Sequence, residues 1–155
     1  QTNRRMANTL IHDRPRNALE AKFSMPICLA IILAERRAGL AEFTDEIVSR
    51  ADIQNLVSKI NYSSFDELGA DYTNVTTLLE IDLADGETIS GRADFAPGST
   101  ADPMSFDVVV DKFRGCADHA GWPEDKSAQA IAMVERLDDL ENIAELTRTL
   151  SARTD

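Results

Sequence analysis

The sequence is poor in the residues that advertise chemistry. It holds two cysteines, two histidines, one tryptophan and seven glycines in 155 residues. Cys28 and Cys116, 88 positions apart, are too few for a disulfide framework. A chain of this size can build its core without one, which makes a reducing cytoplasm the expected setting. Long apolar runs are missing too. The longest, Met25 to Ala34, has ten residues, against the roughly 20 needed to cross a bilayer, so neither a membrane span nor a signal peptide is expected. Basic charge is scarce: 16 Lys and Arg face 27 Asp and Glu, a net charge of -11, which repels a phosphate backbone and argues against nucleic acid as a partner. The glycines are isolated, with no phosphate-binding loop, no dinucleotide fingerprint and no Gly-x-Ser-x-Gly. Cys116 and His119 form a single Cys-x-x-His, half of a structural zinc set, with nothing nearby to supply the other half. No metal site is expected.

What is present suits one globular core. Hydrophobic residues make up 43% and charged residues 28% of the chain, enough for one domain and inconsistent with a disordered tail. Order along the chain comes from caps and periods. Ser24 is a good helix N-cap and Pro26 sits in the first turn, where its missing N–H costs nothing. The helix that follows is apolar on every face, which predicts burial all round, and Gly39 supplies its stop after Arg36 and Arg37. Two short amphipathic helices follow, with caps expected at Thr44 and Asp52. After a polar stretch at 61–73 the period changes. Val75, Leu79, Ile81 and Leu83 alternate against Thr76, Glu80 and Asp82, Asp85-Gly86 marks a two-residue hairpin turn, and Thr88 to Phe95 returns. Ser105 caps a further helix with Phe106, Val109, Val110 and Phe113 inward, broken by Gly121-Trp122-Pro123. A helix opened by Asp125 or Ser127, and a last one with Ile143, Leu146 and Leu150 at helical spacing, complete the chain. Helices, hairpin, helices in that order predict an α+β fold: a small antiparallel sheet around a central β-hairpin at about residues 74–95, packed by helices before and after it.

Charge is uneven. Residues 1–40 carry seven basic and three acidic side chains, a balance of +4, and the rest carry nine against twenty-four, or -15. Such a positive end can receive an anion, or its arginines can pair with acidic residues elsewhere in the fold. The candidate receiver is the start of the apolar helix. If Ser24 caps it, the free N–H groups of the first turn and the positive dipole end face outward beside Lys22, with Arg14 and Arg16 upstream. The competing reading makes Ser24 only a cap, Lys22 a solvated cation paired with Glu20 or another acid, and Phe23 core. Cys28, inside the apolar helix, reads as a small inert core residue.

The run Arg14-Pro15-Arg16-Asn17-Ala18-Leu19-Glu20-Ala21-Lys22-Phe23-Ser24-Met25-Pro26 resembles the MmgE/PrpD family of dehydratases, decarboxylases and epimerases. The resemblance continues in order through Val57-Ser58-Lys59-Ile60, Asp85-Gly86, the loop 98–103 and Asp111-Lys112-Phe113-Arg114-Gly115-Cys116. It implies that residues 1–155 form a single α+β C-terminal domain, lid-like, of a longer two-domain chain. An N-terminal helical domain would precede Gln1, consistent with the absence of an initiator methionine. It further implies a cofactor-free, metal-free site between the domains, a small di- or tricarboxylate substrate, and proton abstraction next to a carboxylate. The full-length protein would be a cytoplasmic homodimer, and the fragment alone would be inactive, since the acid/base groups lie upstream. Lys22 and Ser24 match the family motif, and Arg14 joins them as a substrate-binding candidate. Some members have a tyrosine where this chain has Ile27, which cannot donate a hydrogen bond. The alternative from another class is a non-catalytic binding module with a lid-like fold that docks a partner through its apolar helix and strand edge.

Overall fold

A computed structural model describes residues 1–65 and 76–151. Val75 and most of the polar stretch 61–73 lie outside the described residues. The chain falls into two compact units, Gln1–Met104 and Ser105–Asp155.

The first unit holds β1 (Thr2–Asn3), α1 (Arg4–Thr9), α2 (Ala18–Ala21), α3 (Met25–Glu35), α4 (Asp45–Ser49), α5 (Ala51–Lys59), β2 (Ser64–Phe65), β3 (Thr77–Asp82) and β4 (Thr88–Ala93), with a 3-10 turn at Leu40–Glu42. The mixture of helices and one small sheet is the expected α+β class. Local chemistry starts the helices where caps predict. Ser24 Oγ accepts from Ile27 N at 3.3 Å and Thr44 Oγ1 from Ile47 N at 3.3 Å. Asp52, by contrast, does not cap α5. That helix begins one residue earlier, after Arg50, and Asp52 sits in its first turn bound to the Arg50 guanidinium, which also reaches Glu35 at the end of α3. The hydrogen bonds from Arg50 hold the Asp52 carboxyl below the ordinary aspartate range.

α3 departs from expectation in two ways. It stops at Glu35 because Arg36 takes a left-handed conformation, φ 60°, and donates its N–H back to Ile32 O. For a residue with a Cβ this conformation costs about 1–2 kcal/mol. Gly39 instead opens the 3-10 turn, its N–H donated to Glu42 Oε2 at 2.7 Å, and Arg37 holds the other oxygen of this buried carboxylate at 2.7 Å. Nor is α3 buried all round. Ile27, Ala30 and Ile31 are fully buried against Val48, Ile53 and Val57 of α4 and α5, while Ile32 is 46% and Leu33 41% exposed. A helix without a polar face carries no instruction about which side turns inward, and here the 27-30-31 stripe meets α5.

The sheet has the order β2-β1-β3-β4. The hairpin is antiparallel in register from Thr77↔Ala93 to Asp82↔Thr88, but β1 pairs with β2 in parallel, Thr2↔Ser64 and Asn3↔Phe65. The sheet is therefore mixed rather than purely antiparallel, as suits two strands joined by a long helical crossover. The hairpin turn also differs in detail. Leu83 N–H bonds to Glu87 O and Gly86 N–H to Leu83 O, so three residues, Ala84 to Gly86, make the connection. Only Gly86 takes positive φ, 91°, where a two-residue Asp-Gly turn needs it at both positions. At its base, Asp94 accepts from buried Thr76 Oγ1 at 2.8 Å and from Arg92. Arg92 first, then Thr76, lowers its pKa below the usual carboxylate value.

The second unit holds α6 (Phe106–His119), α7 (Glu124–Glu135) and α8 (Ala144–Ser151), with a 3-10 turn at Leu137–Asp139. Ser105 caps α6 through Val108 N, and Gly121, φ 72°, follows its end. The inward face begins later than predicted. Phe106 and Val109 are exposed, whereas Val110 and Phe113 are half-buried and Ala117 is buried. Phe113 meets the Trp122 ring edge-on at 6.0 Å, and Lys126 lies over that ring. α7 opens directly after Pro123 rather than on a cap at Asp125 or Ser127, and the Ser127 hydroxyl donates backward to Glu124 O. In α8 only Leu146 is buried, while Leu150 and Ile143, the residue just before the helix, are exposed.

Candidate functional site

The segment before α3 is built by local turns. Asn17 Oδ1 caps α2 by accepting from Glu20 N at 2.9 Å, and Glu20 Oε2 reaches back to Arg16 N at 2.8 Å. α2 ends in a turn closed by Phe23 N to Glu20 O and Ser24 N to Ala21 O. His12 N–H donates to Phe23 O at 3.1 Å, which ties the basic segment around Arg14 to the turn carrying Lys22 and Ser24. Arg14 and Lys22 are both exposed, and Ser24 is fully buried.

Electrostatically these three residues differ. Glu20, the proposed partner of Lys22, is bonded to backbone at Arg16 instead, and among the described residues neither Lys22 nor Arg14 has an ion pair. Arg37, by contrast, is neutralised by Glu42. Part of the positive end is thus paired inside the fold and part is not. The helix start itself offers less than its dipole suggests. Pro26 has no N–H, Ile27 N–H is taken by Ser24 Oγ, and Cys28 N–H by Ser24 O. Among the described residues Met25 N–H alone is left of the first turn, so the pull on an anion there must come chiefly from the cations.

Arg14 lines a cleft of about 270 Å³ whose wall includes Pro26, Val57 and Ile60 and whose polar groups are Asp13, Ser58, Asn61 and Tyr62. Lys22 and Ser24 do not line it. The sequence points to Arg14 and Lys22 as cations, but Asp13, Ser58, Asn61 and Tyr62 escape it, because they are brought together only when the end of α5 returns beside the start of α3. Ile27, where the tyrosine of some MmgE/PrpD members would stand, is fully buried within the core cluster. Burial pushes the Cys28 thiol upward, which keeps it protonated and inert. Among the described residues no group of three or more His, Cys, Asp or Glu side chains could hold a metal ion, and no helix is long and apolar enough to cross a membrane.

Comparison with known proteins bears on the whole of this arrangement. The model of the MmgE/PrpD C-terminal domain matches residues 2–139, running through both units. Cis-aconitate decarboxylase of Mus musculus is 26% identical over 136 residues, which cover 88% of this chain and 28% of that protein. The chain therefore spans a little over a quarter of the length of this relative.

Proposed function

Since this chain belongs to the MmgE/PrpD family and matches its C-terminal domain over residues 2–139, we propose that it is the lid domain of an enzyme acting on a small di- or tricarboxylate. The reaction is proton abstraction next to a carboxylate, followed by loss of water or carbon dioxide or by reprotonation on the other face. The family match carries this reading, and the similarity to a decarboxylase of a tricarboxylate supports it. Removing a proton beside a carboxylate places negative charge on that carboxylate in the transition state, where fixed cations stabilise it. Arg14 and Lys22, which have no ion pair among the described residues, are suited to that task, and Ser24 N–H, donated to Ala21 O, closes the turn that presents Lys22.

No residue of this chain is assigned as the base. The proposal places acid and base in an upstream helical domain of a cytoplasmic homodimer that uses neither metal nor organic cofactor. The absence of a hydroxyl at Ile27 sets this protein apart from members that have a tyrosine there, and implies a different substrate or a different outcome after proton removal.

The test is turnover. The full-length protein, offered a panel of small di- and tricarboxylates in deuterated water, is expected to exchange or eliminate at the carbon next to a carboxylate. Activity should survive treatment with chelator, and the 155-residue chain alone should show none. Failure of the full-length protein to turn over or exchange any member of the panel would contradict the reading, as would activity of the isolated chain.

A further inference from the structure

Arg14 has no hydrogen bond or ion pair of its own among the described residues, so its placement in the cleft depends on the backbone that carries it. That backbone is held on both sides. Pro15 is fully buried, and its ring restricts the conformation of the residue before it, Arg14. The Pro15–Arg16 peptide is a rigid plane, and its two polar groups are bonded to different helices. Its N–H is donated to Glu20 Oε2 of α2 at 2.8 Å, and its carbonyl accepts from Gln54 Nε2 of α5 at 3.4 Å.

Gln54 is half-buried, and its Nε2 also donates to Val48 O of α4 at 2.7 Å. The amide nitrogen has two N–H donors and both partners are carbonyl oxygens, so the direction of both bonds is fixed by the groups themselves. The short bond to Val48 anchors the amide, and the longer, weaker one to Pro15 uses its second N–H. Place on the helix matters as well. Val57 and Ser58 follow Gln54 at three and four residues, on the same side of α5, and both line the cleft together with Arg14. The helix that supplies one wall of the cleft therefore also holds the segment that supplies the other.

We infer that Gln54 is a positioning residue for Arg14. By tying the Pro15–Arg16 peptide to α4 and α5, it keeps the guanidinium in the wall of the cleft without touching a ligand itself. Without that tie the segment samples positions from which Arg14 does not meet its anion, and part of the contact is lost to ordering it. The inference rests on the reading of Arg14 as a carboxylate receiver given above.

A double-mutant cycle in the full-length protein tests it, with the member of the panel of small di- and tricarboxylates that is turned over fastest as the probe. Gln54→Met keeps an unbranched, helix-forming side chain and removes both donors. Its kcat/KM should fall by about threefold to tenfold, the net effect of one hydrogen bond. Arg14→Ala alone should lower kcat/KM by about tenfold or more. In the Arg14→Ala background, Gln54→Met should change kcat/KM by less than about twofold, because the group it positions is gone. A merely structural role for Gln54 would give the same loss in both backgrounds.

Amide hydrogen exchange resolved at Arg16 reads the clamp in the unaltered protein, with no variant having to fold. Exchange there should be slower than in an unstructured chain, and faster in Gln54→Met than in the unaltered protein. Exchange of Arg16 at the unstructured rate overturns the inference. So does an unchanged kcat/KM in Gln54→Met, or an equal loss with and without Arg14, while Arg14→Ala keeps its effect; these outcomes defeat the inference alone. No effect of Arg14→Ala, or no turnover of any carboxylate in the panel, would defeat the functional reading beneath it and the inference with it.

Discussion

Two parts of the Gln1–Met104 unit bury apolar side chains to very different degrees. In the packed helices, Ile27 and Ile31 of α3, Val48 of α4 and Ile53 of α5 are all fully inaccessible. In the hairpin, which has an equally clear apolar alternation, Ile89 is 49% exposed and every residue of β4 is exposed. Both patterns are correct about direction. Helical spacing brings residues 27, 30 and 31 to one face, and strand alternation sets Ile81 opposite Ile89 in register. Direction is a property of a single element, whereas burial needs a second layer facing it. α3 has α5 as that layer. Period alone therefore locates elements, and the contacts between elements decide what they contribute to stability.

The contrast can be broken by truncation. Ile31→Ala or Ile53→Ala should destabilise the protein by about 2–5 kcal/mol, since the transfer energy and the cavity both count at a closed site. Ile89→Ala, at a half-exposed strand position, should cost less than about 1 kcal/mol. Urea unfolding of the two kinds of variant checks this, and equal losses would show that hairpin and helices are packed alike. Next in size is Ser24→Ala, which removes the cap of α3 while leaving the core side chains intact. It should cost about 1–2 kcal/mol, measured by the same unfolding curves.

The smallest effect sharpens the comparison at the hairpin base. Asp94 is held below the usual aspartate range by Arg92 and Thr76, so the ionised carboxylate is favoured in the folded state. A lowered folded pKa contributes stability that is fully present above the unfolded value of about 4. That contribution is lost as pH falls through the folded value. The carboxylate is half-buried and its partner Arg92 is exposed, so solvent screens the pair and the effect is slight. Asp94→Asn should lower Tm slightly at neutral pH and flatten the acid limb of the Tm-against-pH curve. An unchanged limb would remove the Asp94 contacts from the account of the hairpin.

How much of this was legible in the sequence follows the same division. Ser24, Thr44 and Ser105 read as caps because capping is a contact across three residues, and Gly86 marked its turn because one backbone conformation demanded it. β1 and β2 were not legible. They are two residues each, too short for a period, and exist because Thr2 and Ser64 meet across a long crossover. The end of α3 was misplaced because Arg36 adopts a conformation that its residue type disfavours, and α3's exposed side was unreadable because all its sides are alike. At the candidate site, Arg14 and Lys22 stood out as cations in an acidic chain. Asp13 and Tyr62 did not, since a cleft between the end of α5 and the start of α3 leaves no mark on either segment alone.

The central claim is the proposal that Arg14 and Lys22, without an ion pair among the described residues, receive a carboxylate. Its most direct test is kcat/KM of the full-length protein for a small di- or tricarboxylate, the substrate class proposed, compared with Lys22→Ala at matched Tm. Loss of one charge-assisted contact predicts a fall of about tenfold or more. An unchanged kcat/KM with unchanged Tm would contradict the claim and make Lys22 an ordinary surface lysine.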